Sequence, residues 1–195
     1  MTTRLTLISH ASTQAQRRAA FPRNEPLDEK EIAAISALKW QVPRAQQFLA
    51  APELRAQQTA QALGLTITTS AQLSDCNYGR WAGCDFDEVH SYDPEGIIEW
   101  LSNPLATPHS GESIANLAAR VGHWLDGLPE TGHTIAITHP TVIRAVIIHA
   151  IDAPIHAFWR IDIAPLSVTD LRFNGKVWTL RATGCSLTKA HEEKC

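Results

Sequence analysis

Apolar and polar positions alternate over residues 4–10, Arg-Leu-Thr-Leu-Ile-Ser-His, and a second β-prone run, Thr-Ile-Ala-Ile-Thr-His, spans 134–139. This pattern predicts two strands, each stopping at a histidine, His10 and His139. Between and after them the period lengthens. A spacing of three to four predicts a helix over 28–40, with Ile32, Ile35 and Leu38 on one face and Asp28 at its N-cap. A second helix over 53–63 is opened by Pro52 and closed by Gly64. Residues 85–101 read as helix interrupted by Pro94 and Gly96, residues 112–128 as an amphipathic helix, and residues 141–151 as an apolar helix after Pro140. Short strands are expected at 46–51 and 65–69. Asn174-Gly175, between the β-prone runs 166–173 and 177–181, is a hairpin signal that extends the sheet edge. The charged tail from Leu187 is expected to fray.

Strands alternate with helices, nothing repeats, and no linker divides the chain. The expectation is a single α/β domain over 1–195 with a largely parallel sheet. In such sheets ligands bind beyond the carboxyl ends of the strands. Taken alone, His10 is equally a ligand-site residue or a buried histidine closing a strand. The second strand-histidine pair at His139 moves the reading towards one shared site.

Composition narrows the partners. The 195 residues, 44% of them hydrophobic, suffice for a proper core, and the formal charge of −3 gives no general attraction to nucleic acid or an anionic membrane. Any bound anion must meet a local cluster. The apolar run at 142–151 is interrupted by Arg144 and His149 and falls short of the about 20 apolar residues of a membrane span. No basic-then-apolar leader precedes the first strand, so the expected location is cytoplasmic. Cys76, Cys84, Cys185 and Cys195 form no C-x-x-C spacing and read as free thiols, with Cys195 inert.

Candidate chemistry gathers at a few places. Arg55 falls in the first turn of its helix, where free N–H groups and the helix dipole favour an anion. The stretch 73–83, Leu-Ser-Asp-Cys-Asn-Tyr-Gly-Arg-Trp-Ala-Gly, is non-periodic and reads as a shaped loop. Asp75 within it is either a general acid or a turn residue bonding its own backbone, and the residues alone favour the turn. Arg17, Arg18 and Arg23 form a solvated face or the rim of an anion site. Gly111-Glu-Ser113 is explained by helix capping. Trp81, Trp100, Phe86 and Tyr92 belong to a leaving-group pocket or, more commonly for such residues, to the core. His149 and His156 read as packing or surface residues. Nucleotide-binding glycine loops, the G-x-S-x-G elbow and the H-E-x-x-H helix are all absent from the sequence.

The ordered set of strand-His10, Pro52-Glu-Leu-Arg55-Ala-Gln-Gln-Thr59-Ala, the 73–83 loop, Gly111-Glu-Ser113 and Thr138-His139 resembles the histidine phosphatase superfamily, the phosphoglycerate mutase-like fold. The resemblance covers nearly the whole chain. It implies a three-layer α/β/α architecture with a largely parallel central sheet, and a phosphatase needing no metal or cofactor that acts on a small phosphorylated molecule. His10 would take the phosphoryl group as a phosphohistidine, His139 would add a donor across the phosphate, and Asp75, where the family usually has glutamate, would protonate the leaving oxygen. Arg55 would hold phosphate oxygens, with Ser9, Thr13 and Gln16 as the other phosphate-binding positions.

Three departures stand out. Ser9-His10-Ala11 replaces the family's Arg-His-Gly, Gln16 replaces its asparagine, and Pro140 replaces the glycine after the second histidine. Loss of the motif arginine leaves three outcomes open: a replacement cation from Arg17, Arg144 or Arg160, a slow enzyme or unusual substrate, or a phosphate-binding or regulatory protein without turnover. Hydrolysis is favoured over mutase chemistry, since the resembling mutases shield their phosphohistidine with insertions and a longer tail. Substrate identity is left to the loops, and no residue selects a homodimer contact, although an edge strand or exposed helix face could supply one.

Overall fold

A computed structural model describes residues 2–38 and 40–187 of the protein. The strands are Thr3–Ser9 (β1), Gln47–Ala50 (β2), Thr68–Thr69 (β3), Gly132–Thr138 (β4), Ser167–Phe173 (β5) and Trp178–Ser186 (β6). They form one sheet in the order β3-β2-β4-β1-β5-β6. β1 and β4, β4 and β2, and β2 and β3 pair parallel, while β5 runs against both of its neighbours. β1 and β4 are almost wholly buried along their length, on both faces, as the central strands of a sheet covered by helices on each side must be. This is the expected α/β architecture with a mostly parallel sheet.

The helices are Gln14–Arg17 (α1), Glu29–Ala37 (α2), Leu54–Ala62 (α3), Phe86–Tyr92 (α4), Pro94–Ser102 (α5), Ile114–Asp126 (α6) and Pro140–Ala150 (α7). α1 lies inside the stretch read as loop, capped by Thr13, whose Oγ1 accepts from Gln16 N at 3.2 Å. α2 is shorter than expected and stops before Trp40. Leu38 is already extended, and the Ser36 hydroxyl bonds back to Ile32 O at 2.9 Å. Asp28 stands at its N-cap without capping it, because its carboxylate pairs with Arg17. The 85–101 pattern resolves into two helices. Pro94 begins the second instead of breaking the first, and Gly96 leaves room for the Asp93 carboxylate that accepts its N–H at 3.2 Å. The Asn174-Gly175 turn joins β5 to β6 as expected, with Gly175 at φ +91°.

Leu187 is buried, so fraying does not begin there, and the rest of the charged tail, with Cys195, lies outside the described residues. The other three cysteines are free thiols. Among the described residues no helix is long and apolar enough to cross a membrane.

Candidate active site

The parallel pairing of β1 with β4 places Ser9 opposite Thr138, so the next residues, His10 and His139, leave the sheet side by side. His10 N donates to Thr138 O at 2.9 Å, and the two imidazole centroids lie 5.1 Å apart, edge to face. His10 Nδ1 is 2.7 Å from the Ala11 carbonyl oxygen. A carbonyl only accepts, so Nδ1 carries the proton and Nε2 keeps its lone pair in the neutral ring. Burial, then the neighbouring His139 and Arg55, hold the His10 pKa well below the ordinary histidine range. The ring is therefore neutral at physiological pH.

Arg55 occupies the first turn of α3 and is 1% exposed. Its Nη1 donates to Arg23 O at 2.5 Å and its Nη2 to Asp75 Oδ2 at 2.7 Å, with Glu25 Oε1 at 3.8 Å. Its Nε is buried with no hydrogen-bond partner. The other oxygen of Asp75 accepts from Thr141 Oγ1 at 2.5 Å and from Cys76 N at 2.8 Å. Burial alone would raise the Asp75 pKa, but His139, Arg55 and the Thr141 hydroxyl more than reverse that and hold it well below the usual carboxylate range. Asp75 thus bonds local backbone, as a turn residue does, and stands beside the arginine and both histidines.

Sequence reasoning overlooked Glu53. It occupies the N-cap position of α3 without a side-chain capping bond, and its carboxylate turns to His139, accepting at 2.8 Å from Nε2. That hydrogen bond lowers the Glu53 pKa against the opposing effect of burial. The only available signal was an acidic residue at a helix start, which helix propensity explains equally well.

A cavity of about 260 Å³ opens over these groups. Of the seven predicted site residues, His10, Thr13, Gln16, Arg55 and Asp75 line it, while Ser9 and His139 do not. Ser9 is fully buried with an unpartnered hydroxyl, and His139 lies behind Asp75, its Nδ1 3.5 Å from Asp75 Oδ2. Tyr78, Thr141, Arg144 and Asp162 complete the polar lining. None of the loop arginines reaches it. Arg17 pairs with Asp28 and Glu31, Arg23 donates to Ala82 O at 2.8 Å, and Arg18 is exposed. Trp81 and Trp100 pack in the core, the commoner of the two readings, while Phe86 and Tyr92 are exposed, and none of the four lines the cavity. Ser113 caps α6 as expected, and His149 is a surface residue paired with Asp126.

A sequence profile of the histidine phosphatase superfamily (branch 1) matches residues 5–186. The chain belongs to this superfamily. A bifunctional protein of Mycobacterium tuberculosis is 28% identical over 187 residues, covering 89% of this chain and 51% of that protein. The chain thus spans about half the length of its mycobacterial relatives. Among solved structures, a phosphoserine phosphatase mutant of Entamoeba histolytica in complex with phosphoserine superposes with a TM-score of 0.82 at 18% identity, over 93% of this chain and 96% of that one. The alpha-ribazole phosphatase of Shigella flexneri gives 0.81 at 22% identity, over 92% and 95%. At these identities the likeness establishes the fold alone.

Within this histidine phosphatase fold, the chemistry available is a neutral imidazole nitrogen with a lone pair, a buried guanidinium with a donor to spare, and an ionised carboxylate. No group of three or more metal-ligating side chains occurs among the described residues.

Proposed function

We propose that the protein is a phosphomonoester hydrolase that forms a phosphohistidine on His10, with a small phosphorylated metabolite as substrate and no metal requirement. The observation that carries this reading is the commitment of the His10 Nδ1 proton to Ala11 O, which leaves the Nε2 lone pair available in a cavity shared with Arg55. Nε2 attacks phosphorus, and the bond to the leaving oxygen breaks with its electron pair. Asp75, protonated for the purpose, gives that oxygen its proton. Water then attacks the phosphohistidine, its proton passes to the Asp75 carboxylate, and the N–P pair returns to Nε2. The cations of the reaction are guanidinium groups, so charge on the transferring oxygens is met without a metal.

Asp75 is ionised in the structure, and substrate supplies the means of charging it. A phosphoryl dianion competes for the Arg55 donors and stands beside the carboxylate as a like charge, and both effects raise the affinity of Asp75 for a proton. Once Asp75 turns towards the leaving oxygen, His139 Nδ1 is exposed to the phosphoryl group.

The test is phosphate release from an aryl phosphate across about pH 5 to 8, the range of histidine titration, for wild type and His10→Ala, with acid-labile phosphoenzyme trapped in parallel. Activity retained by His10→Ala would sink the mechanism. A second reading, phosphate-ligand binding without turnover, draws support from the three donors that hold Asp75 ionised together with the serine at position 9. It predicts ligand affinity with no phosphoenzyme in wild type.

A further inference from the structure

We propose that Arg144 grips the transferring phosphoryl group in place of the guanidinium absent from position 9, an assignment that presupposes a phosphate ligand in the His10 cavity. Arg55 and Arg144 are the two cationic side chains that line this cavity. The other candidates are committed elsewhere or stand outside the cavity. Arg17 is held by Asp28 and Glu31, Arg160 is exposed and does not line the cavity, and Arg120 donates to Glu112, Gln72 O and Asp75 O. Nothing at position 9 substitutes for the missing charge, since the buried Ser9 hydroxyl lacks even a partner of its own.

The setting of Arg144 is that of a built anion ligand. Its Nε donates to Ile161 O at 2.7 Å, and the guanidinium carbon lies 5.7 Å from the ring centroid of Phe158 and 6.0 Å from that of Trp159. Those contacts fix the plane of the fork, and among the described residues neither terminal nitrogen has a hydrogen-bond partner. The residue is half-buried, yet among the described residues it forms no ion pair, unlike Arg4, Arg17, Arg55, Arg80 and Arg120. Burial lowers its pKa, an effect only partly offset by Tyr78, Asp162 and Asp75. Asp75 and Asp162 share the cavity with Arg144 but neither forms an ion pair with it, so an anion that reaches its terminal nitrogens stabilises the guanidinium further. Its place in α7 supplies the direction. Arg144 follows Thr141 by three residues and Pro140 by four, all three line the cavity, and helical side chains lean towards the N-terminus, the end that carries His139.

Binding of orthophosphate and orthovanadate, followed by calorimetry and thermal shift, reads this grip without turnover. Arg144→Gln is expected to weaken both ligands by about a hundredfold, the scale of one lost charge-stabilising donor. Arg144→Lys keeps the charge without the fork and is expected to fall between. If Arg144 serves only to brace Ile161, both variants lose stability and bind orthophosphate as wild type does, which overturns the proposal. The lysine variant carries the test should the glutamine variant not fold. A loss confined to carboxylate-bearing phosphomonoesters, with orthophosphate affinity intact, also overturns it by placing the guanidinium on the leaving group. Failure of the phosphohistidine mechanism is separable: His10→Ala turnover would then match wild type while orthophosphate affinity still depended on Arg144.

Discussion

Glu53 and His139 are joined by a 2.8 Å hydrogen bond from imidazole Nε2 to carboxylate Oε2, and the other oxygen of the same carboxylate accepts the backbone N–H of Asp75 at 3.1 Å. One side chain at the start of α3 therefore sets the ring plane of His139 and the start of the loop that carries Asp75. It also fixes the orientation of the ring. An ionised carboxylate requires a proton on Nε2, which turns Nδ1 towards Asp75 Oδ2, 3.5 Å away.

Removing that carboxylate is expected to impair the site although Glu53 itself does not line the cavity. A buried hydrogen bond to a charged group is worth about 2 kcal/mol, or about thirtyfold in rate. Glu53→Ala is expected to lose activity on that scale, and Glu53→Gln less, because its single carbonyl oxygen replaces one of two acceptors. Steady-state kinetics on an aryl phosphate checks the order. Equal losses in the two variants would mean that the bulk of the side chain, and not its acceptor oxygens, is what His139 needs.

Asp75 offers a test with opposite signs in two measurements. Its carboxylate holds the Arg55 donor that a phosphate would take, so Asp75→Asn is expected to bind orthophosphate more tightly than wild type. Turnover of an alkyl phosphate should fall by about a hundredfold or more with loss of the acid, while a nitrophenyl ester, whose leaving group needs no proton, should fall much less. Wild-type kcat on the alkyl ester should rise towards acid pH, since Asp75 must gain a proton before it can give one. Weaker phosphate binding by Asp75→Asn would show that the carboxylate positions Arg55 more than it competes for it.

How much of this was legible in the sequence follows from the range of each interaction. His10 and His139 could be read because strand periodicity and chain termination at a histidine are local, and parallel pairing in a βαβ arrangement brings strand ends together. Arg55 was legible from its place in the first helical turn. Glu53, Thr141 and the setting of Arg144 were not, because their partners lie 86, 66 and 17 residues away and no local pattern encodes such contacts. The aromatic residue that does line the cavity, Tyr78, was not legible for the related reason that composition does not say which face of a loop meets it: Trp81, three residues on, is fully buried.

Acid should weaken the fold through its buried histidines before it reaches the carboxylates. His10, His109 and His133 all have pKa values lowered from 6.5, burial being the largest cause at each. Below pH 6.5 the unfolded chain takes up protons that the folded protein refuses, so stability is full above that value and declines as pH falls. His10, whose pKa falls to about 3, stays neutral over this window and contributes a slope of about 1.4 kcal/mol per pH unit, or about 2 kcal/mol between pH 6.5 and 5. Asp75, also lowered, adds its loss only further down, in the carboxylate range. Urea unfolding at pH 7 and pH 5 should give a smaller difference for His10→Gln than for wild type. Superimposable profiles would show that His10 is protonated in the folded protein.

Gly79 tests whether the Asp75 loop must sit where it does. Its φ is +48°, and a Cβ there would stand 2.0 Å from the carbonyl oxygen of His109. That carbonyl also accepts the N–H of Arg80 at 2.9 Å, Asn77 O accepts from Glu112 N at 2.7 Å, and Cys76 Sγ donates to Glu112 O at 3.4 Å, so the 75–80 loop is clasped against the 109–112 segment. Gly79→Ala must part the two segments. Overpacking of this kind costs about 1–3 kcal/mol, and the strain of a left-handed alanine adds about 1 kcal/mol. Because Asp75 lies four residues away on the same clasped loop, the displacement should reach the acid, and a shift of about 1 Å can cost about a hundredfold in rate. The variant is therefore expected to melt lower and to lose alkyl phosphate turnover more than nitrophenyl phosphate turnover, the same selectivity as Asp75→Asn. A lowered Tm with equal losses on both esters would place the damage at His10 instead, and the loop would then act on the nucleophile and not on the acid.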